Sequence, residues 1–423
     1  MNKEIKKGLV PEFRFSEFKD SGEWAIKNLL ELSLNGFSNG VFNDPAKVGS
    51  GYKLINVLDM YIDTTINENN LKLLELSTTE FSKNKVEYGD IFFTRSSLVK
   101  EGIAYSNVYL GNSEDVTFDG HLIRMRPKKE FNSIFLNYIL RTSKVRSQLV
   151  MRGKTATMTT IGQADISTVN VHLPNLLEQT KIAACLSSLD DLITAQTQKI
   201  AALKTHKKGL MQQLFPQEGE TVPKLRFSEF SDSGEWESKE LEKVFLFKQG
   251  VQVPVEEQSI EKKSDMVRFI RIIDLTQDGE PWRFIQNPGD EYVIKSNELF
   301  MIRYGTPGLI AIGYEGVIAN NLFRIIPKDK NQFEPNFWFY VFKWLEKTIF
   351  SLSCSSSMPA ISFSVMNKIS VSIPISLKEQ QKIAVCLSSL DDLINAHVKK
   401  CEGLKTHKKG LMQGLFPSSN EAA

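Results

Sequence analysis

The sequence predicts an α+β chain built as a tandem duplication: a mixed α/β body followed by a long helix, and then the same again. Three observations carry this. Residues 178–216 (EQTKIAACLSSLDDLITAQTQKIAALKTHKKGLMQQLFP) return as residues 379–417 (EQQKIAVCLSSLDDLINAHVKKCEGLKTHKKGLMQGLFP), without a gap and with 29 of 39 positions identical. A second element, residues 10–24 (VPEFRFSEFKDSGEW), returns as residues 222–236 (VPKLRFSEFSDSGEW). Between these flanks lie short apolar runs broken by turn residues, the pattern of many strands with a few helices. A repeat of this kind means that one structural unit occurs twice along the chain.

The repeated stretches read as two long helices. On a helical period Leu186, Ile193, Ile200, Lys207 and Leu214 share one heptad position, and Ile182, Leu189, Gln196, Leu203 and Leu210 share the other. The second copy repeats this with Leu387, Ile394, Cys401, Lys408 and Leu415, and with Ile383, Leu390, His397, Leu404 and Leu411. Apolar residues at both positions over four to five heptads form a coiled-coil seam. Each rod would be about 55 Å long at ~1.5 Å per residue. Ser376-Leu-Lys-Glu379 is a capping box and Asn175-Leu-Leu-Glu178 its asparagine version, while Pro216 and Pro417 end the helices. Lys204, His206, Lys207 and Lys208 place positive charge where the helix dipole favours it. Gln196 and His397 each put a polar group in mid-seam, which reads as a register device.

The two bodies, about 25–174 and 237–374, have diverged further than their flanks. Tyr52-Lys-Leu-Ile-Asn-Val-Leu-Asp59 resembles Val267-Arg-Phe-Ile-Arg-Ile-Ile-Asp274, and Gly89-Asp-Ile-Phe-Phe-Thr-Arg95 parallels Asn297-Glu-Leu-Phe-Met-Ile-Arg303. His121-Leu-Ile-Arg-Met-Arg-Pro127 parallels Asn321-Leu-Phe-Arg-Ile-Ile-Pro327. Residues 131–149 and 333–352 read as helices with aromatics on one face. Each body then has a polar loop, at 152–158 or 351–358, and a last strand. The expected division is 1–174, 175–216, 217–374, 375–417 and a tail at 418–423.

Composition bounds the function classes. Of 423 residues 41% are hydrophobic and 24% charged, and no apolar run approaches the ~20 residues that span a bilayer. The N-terminus MNKEIKKGLV lacks the apolar core of a signal peptide. Cys185, Cys354, Cys386 and Cys401 form no CxxC pair, which suits buried thiols in a reducing compartment. A cytoplasmic protein is expected. The net charge of +2 requires any basic face to be local. Gly-rich phosphate loops, nucleophile elbows and zinc-spaced Cys/His sets are missing from the sequence. Asn287-Pro288 reads as a turn, the Glu237/Lys239 pair as a solvated loop, and His397 with Cys401 as a packed seam pair, so no catalytic or metal residue is assigned.

Header, body and the run EQ-x-KIA…LD-x-LI…K-x-GLMQ-x-LFP, given twice, resemble the specificity subunit of type I restriction–modification systems. The match rests on Arg14-Phe-Ser-Glu-Phe with Trp24, the Gly89-Asp90-Ile strand, Pro174…Glu178-Gln179…Ile182 and their second copies. The resemblance implies that each body is a target recognition domain reading one half of a bipartite site in double-stranded DNA. It implies that the helices pair as an antiparallel coiled coil that sets the separation of the halves. It further implies that two methyltransferase subunits dock on this scaffold, that two restriction/translocase subunits can join, and that the chain itself is non-catalytic. S-adenosylmethionine, ATP and Mg are then expected on the partner subunits, and none on this chain.

Polar and basic loop residues are the candidates for DNA contact. In the first body they are Asn39, Asn43, Lys47, Lys53, Arg95, Lys100, Arg152, Lys154 and Thr155. In the second they are Lys248, Gln252, Arg268, Arg271, Arg303, Tyr304, Ser355, Ser356 and Ser357. Arginine can read guanine bidentately, whereas lysine mainly neutralises phosphate. Two other readings compete: a nuclease with an unrecognised active site, and a coiled-coil adaptor that does not read DNA.

Overall fold

A computed structural model describes residues 9–217, 219–277, 279–353 and 359–417. The chain forms two compact units. One comprises Met1–Thr197 with Lys399–Ala423, the other Gln198–Val398. Each unit therefore holds one body, the start of the helix that follows it, and the end of the other long helix.

The bodies repeat one sheet plan. In the first, Ala25–Asn28 pairs antiparallel with Asn170–Leu173 and closes the domain at its base. A four-stranded antiparallel sheet runs in the order Ser33–Asn39, Leu122–Pro127, Ile91–Thr94, Ser106–Val108. A smaller sheet sets Val48–Ile55 between antiparallel Lys72–Leu74 and parallel Val116–Phe118. The second body answers with Glu237–Glu240 on Ser370–Ile373, and with Phe245–Gln249, Leu322–Pro327, Leu299–Ile302, Ile310–Ala311. Its smaller sheet sets Met266–Ile270 between antiparallel Arg283–Gln286 and parallel Gly316–Ile318, which also pairs with Val293–Ile294. All three faint sequence correspondences thus fall on strands at matching places. Asp59 and Asp274, which end the apolar runs, do the same job. Each accepts the backbone N–H three residues before it, from Asn56 at 2.8 Å and Arg271 at 2.7 Å, closing the turn after the strand.

One expected helix is broken. Residues 131–149 form Ser133–Leu140 and Ser143–Arg152 with a turn between, whereas the second body keeps a single helix, Pro335–Ser351. In the first body Thr142 precedes the second helix in extended conformation (φ −67°, ψ 148°). The Thr142 hydroxyl donates to the Ile139 carbonyl at 2.7 Å, a local bond that competes with helix continuation.

The headers are clamps. Arg14 lays its guanidinium on Glu178 through two bonds, at 2.8 and 2.7 Å, and donates a third to Gly22 O at 2.6 Å. Trp24, itself buried, donates its indole N–H to the same glutamate at 3.3 Å. Arg226, Glu379, Gly234 and Trp236 repeat this, with the two arginine–glutamate bonds at 2.8 and 2.9 Å. Gly22 (φ 71°) and Gly234 (φ 73°) supply the left-handed turn that aims the carbonyl at the arginine. This corrects the capping-box expectation. Asn175 Oδ1 accepts the Glu178 N–H at 2.9 Å, but the Glu379 N–H goes to the Ser376 backbone carbonyl at 3.1 Å, and the Glu178 and Glu379 carboxylates serve the headers.

Both long helices run unbroken for 39 residues, Leu176–Leu214 and Leu377–Leu415, about 58 Å each. Ile182, Leu186, Ile383, Leu387, Ile394 and Cys401 are buried. Leu189, Ile193, Gln196, Ile200, Leu203, Leu210, Leu390, His397, Leu404 and Leu411 are half-buried. Neither Gln196 nor His397 lacks a partner. In the first unit Lys408 meets Asp190 and Thr197 meets Cys401, so numbering rises on one helix as it falls on the other: the packing is antiparallel. The thiols differ from expectation, since Cys185 and Cys386 are only half-buried and Cys401 alone is buried; Cys354 lies outside the described residues. Each helix start joins its body's core through Ile182 and Leu186, or Ile383 and Leu387. Each helix end closes the other core. Phe416 packs on Trp24 and Phe135 in the first unit, and Phe215 on Phe337 and Trp344 in the second.

Candidate nucleic-acid interface

In the first body four segments converge on one edge. The Ile91–Thr94 strand exits at Arg95, whose N–H donates to His121 O at 2.9 Å and whose carbonyl accepts from Ile161 N at 3.0 Å. Ser96–Ser97 then pairs with Thr159–Thr160, which pairs with Lys154–Thr155. Gln163 donates to Asn39 Oδ1 at 2.6 Å and ties the loop after the Ser33–Asn39 strand to this ribbon. Gly40 allows that loop in, because a Cβ there would lie 2.0 Å from Phe118 O.

The candidates of the first body divide into an exposed and an engaged group. Lys47, Arg95 and Lys100 are exposed, and among the described residues their side chains make no hydrogen bond or ion pair. Lys154 is 77% exposed and reaches Asp165 at 3.4 Å, and Thr155 shares a hydroxyl bond with Thr159. The others are engaged inside the fold. Asn39 donates to Gly120 O and Leu122 O, Asn43 to Asp119, and Lys53 to Ser113 while pairing with Asp115 at 3.5 Å. Arg152 holds Gln148 O and Thr168 across the end of its helix. Sequence polarity does not separate these groups. The exposed apolar residues Phe42 (79%), Leu98 (87%) and Val99 (62%) lie beside the free cations and were missed.

The second body presents the same edge with other chemistry. Arg303 repeats the backbone of Arg95, its N–H on Asn321 O and its carbonyl accepting from Ile361 N. Its guanidinium, however, donates to Gln249 Oε1 at 2.7 Å and Ile361 O at 3.2 Å and lies over the Tyr304 and Phe363 rings. Gln252 accepts from Asn320, Lys248 lies 4.6 Å from the centre of the Tyr292 ring, and Arg271 is locked onto Asp274 and Pro281 O. Ser355, Ser356 and Ser357 lie outside the described residues.

Arg268 occupies the sheet position that Lys53 holds in the first body. Lys53 is neutralised by Asp115, whereas the Arg268 guanidinium lies 4.0 Å from the Trp282 ring centre and 5.3 Å from that of Tyr314. Trp282 is 56% exposed while Trp24, Trp236 and Trp338 are buried. An exposed indole backed by a cation suits stacking on a base or sugar. The Gly-Glu-Pro-Trp turn at 279–282 was the available signal for it.

The buried charges elsewhere are structural. Asp90, fully buried, takes two bonds from Arg126 at 2.8 Å, and Arg324 pairs with Glu298 at 2.7 Å. Among the described residues no three His, Cys, Asp or Glu side chains gather as a metal site.

Comparison with known proteins places this geometry. The family model described as the type I restriction modification DNA specificity domain matches twice, at residues 45–205 and 233–405. The chain is 26% identical over 407 residues to a Methanocaldococcus jannaschii protein named as the MjaX type I restriction enzyme specificity subunit, covering 93% of each. It is also 26% identical over 337 residues to the MjaVIII specificity subunit of the same organism, covering 75% of this chain and 77% of that one. The crystal structure of the type I restriction-modification S subunit from M. genitalium shares the fold, with a TM-score of 0.63 at 15% identity over 97% of this chain and all of that one. Two matched domains, each covering most of one body and reaching into a long helix, make this chain a member of the type I restriction–modification DNA specificity family.

Proposed function

We propose that the chain is the non-catalytic specificity subunit of a type I restriction–modification complex, with each recognition domain reading one half of a bipartite site in double-stranded DNA. The observation that carries this reading is the repeated body: one sheet plan twice, with different side chains at matching sheet positions. Two heads of one design and separate chemistries suit two different half-sites. Arg95, Lys100, Lys154 and Lys47 are the leading contacts in the first head. Trp282 backed by Arg268 is the leading contact in the second. The paired helices set the spacing of the half-sites and dock two methyltransferase subunits, to which two restriction/translocase subunits add. S-adenosylmethionine, ATP and Mg belong to those partners, and the complex works in the cytoplasm.

The test is reconstitution. The purified chain alone should neither methylate nor cut DNA, and the methyltransferase partner alone should leave the site unmodified. Together they should methylate one bipartite sequence. Methyl transfer by the chain alone overturns the reading.

A further inference from the structure

Lys207 and Lys408 stand at a heptad position that is otherwise mostly apolar, where a charge without a partner is costly. In the first unit Lys408 Nζ donates to Asp190 Oδ1 at 2.5 Å, and the Tyr138 hydroxyl donates to Asp190 Oδ2 at 2.6 Å. The ammonium also lies 5.1 Å from the centre of the Tyr138 ring. The second unit repeats this. Lys207 donates to Asp391 at 2.5 Å, Tyr340 donates to Asp391 at 2.7 Å, and Lys207 lies 4.7 Å from the Tyr340 ring centre. The lysine side chains are only 16% and 14% exposed.

Each cluster joins three elements: a body helix through the tyrosine, the start of one long helix through the aspartate, and the end of the other through the lysine. Tyr138 and Tyr340 come from bodies that have otherwise diverged, in Phe135-Leu-Asn-Tyr138 and Phe337-Trp-Phe-Tyr340. Burial, and then the aspartate, push both hydroxyls far above the ordinary tyrosine range, so they remain protonated donors. An apolar seam alone discriminates weakly between registers, since a slip of one heptad, about 10 Å, again sets apolar residues against apolar residues. That slip would draw each lysine away from its aspartate and tyrosine and leave a half-buried ammonium unpaired. Polar seam residues act in this way, at some cost in stability.

We infer that the two Lys–Asp–Tyr clusters are register locks, positioning residues that hold each body to one alignment of the helices and so keep the spacing between half-sites strict. The second half of this inference rests on the proposed function. The first half does not, and it has its own readout. Thr197 Oγ1 and Cys401 Sγ lie 3.7 Å apart in the locked register, so Thr197→Cys should form a disulfide with Cys401 when an oxidant such as diamide is added. The yield should fall several-fold in a chain also carrying Lys207→Met and Lys408→Met, which remove charge and keep the stems. Lys207→Arg with Lys408→Arg should restore it. Tyr138→Phe with Tyr340→Phe is a gentler pair with the same expectation, should the methionine pair fail to fold.

In the complex with methyltransferase subunits, the methionine pair should spread methylation to sites of altered spacer while the half-site sequences stay the same. Undiminished cross-linking in the methionine and phenylalanine chains overturns the locks. An unchanged spacer despite lost cross-linking overturns their link to spacing. Lost cross-linking without any sequence-directed methylation in the parent complex supports the locks and sinks the functional reading.

Discussion

Arg14 and Arg95 are both arginines in polar stretches, and only burial tells their roles apart. Arg14 is 7% exposed against a glutamate 1% exposed, so neither charge has water to fall back on. Arg14→Ala should cost about 3–5 kcal/mol in denaturant unfolding, because Glu178 is left buried with one indole N–H. Arg95→Ala should leave stability within about 0.5 kcal/mol, as surface changes do. It should weaken DNA binding by the complex, and if the contact is a phosphate it should lower the salt slope by about 0.9. Paired titrations at two salt concentrations against unfolding curves separate the two arginines. His172, half-buried in the Asn170–Leu173 strand, has its pKa lowered from 6.5 to about 4 by burial first and Lys144 second. The unfolded chain therefore takes up a proton, below pH 6.5, that the folded body resists. The stabilisation is present above pH 6.5 and is lost as pH falls through about 4. His172→Asn should flatten the fall of the melting temperature across that window.

The elements carry a record of the duplication. Phe13 N–H donates to Gly414 O at 2.8 Å, and Leu225 N–H donates to Gln213 O at 2.9 Å, so each header ends on the last turn of a long helix. A Cβ at Gly414 would lie 2.2 Å from the Phe13 ring, whereas the other copy pairs the smaller Leu225 with Gln213. Gly414→Gln should therefore cost about 1–3 kcal/mol through overpacking. Phe13→Leu combined with Gly414→Gln should recover most of it, and a double-mutant cycle in thermal unfolding measures the coupling. Gly414 stands where the first copy has Gln213. Its reason is a ring some 400 residues away in the chain.

Each unit has its own core, closed by Phe416 in one and Phe215 in the other, and the candidate contacts sit at body edges remote in sequence from those closures. Replacing residues 237–374 with another body of this family should change one half of the methylated sequence and leave the other unaltered. Genome-wide methylation mapping reads the result, and a change in both halves ends the one-body-one-half-site reading.

Periodicity and repetition made the long helices, the duplicated plan and the seam residues legible from the sequence alone, because a heptad and a repeat are properties of order along the chain. The same order matched the strands of the two bodies through apolar runs that end at Asp59 and Asp274. The break at Thr142, the glutamates diverted to Arg14 and Arg226, and the partners of Lys207 and Lys408 were decided only in the tertiary structure. So was the division of the candidate contacts into free cations and internal ties. Each of these depends on which side chain arrives from a distant segment, and a polar residue carries the same letter whether it faces water, a carbonyl or an indole.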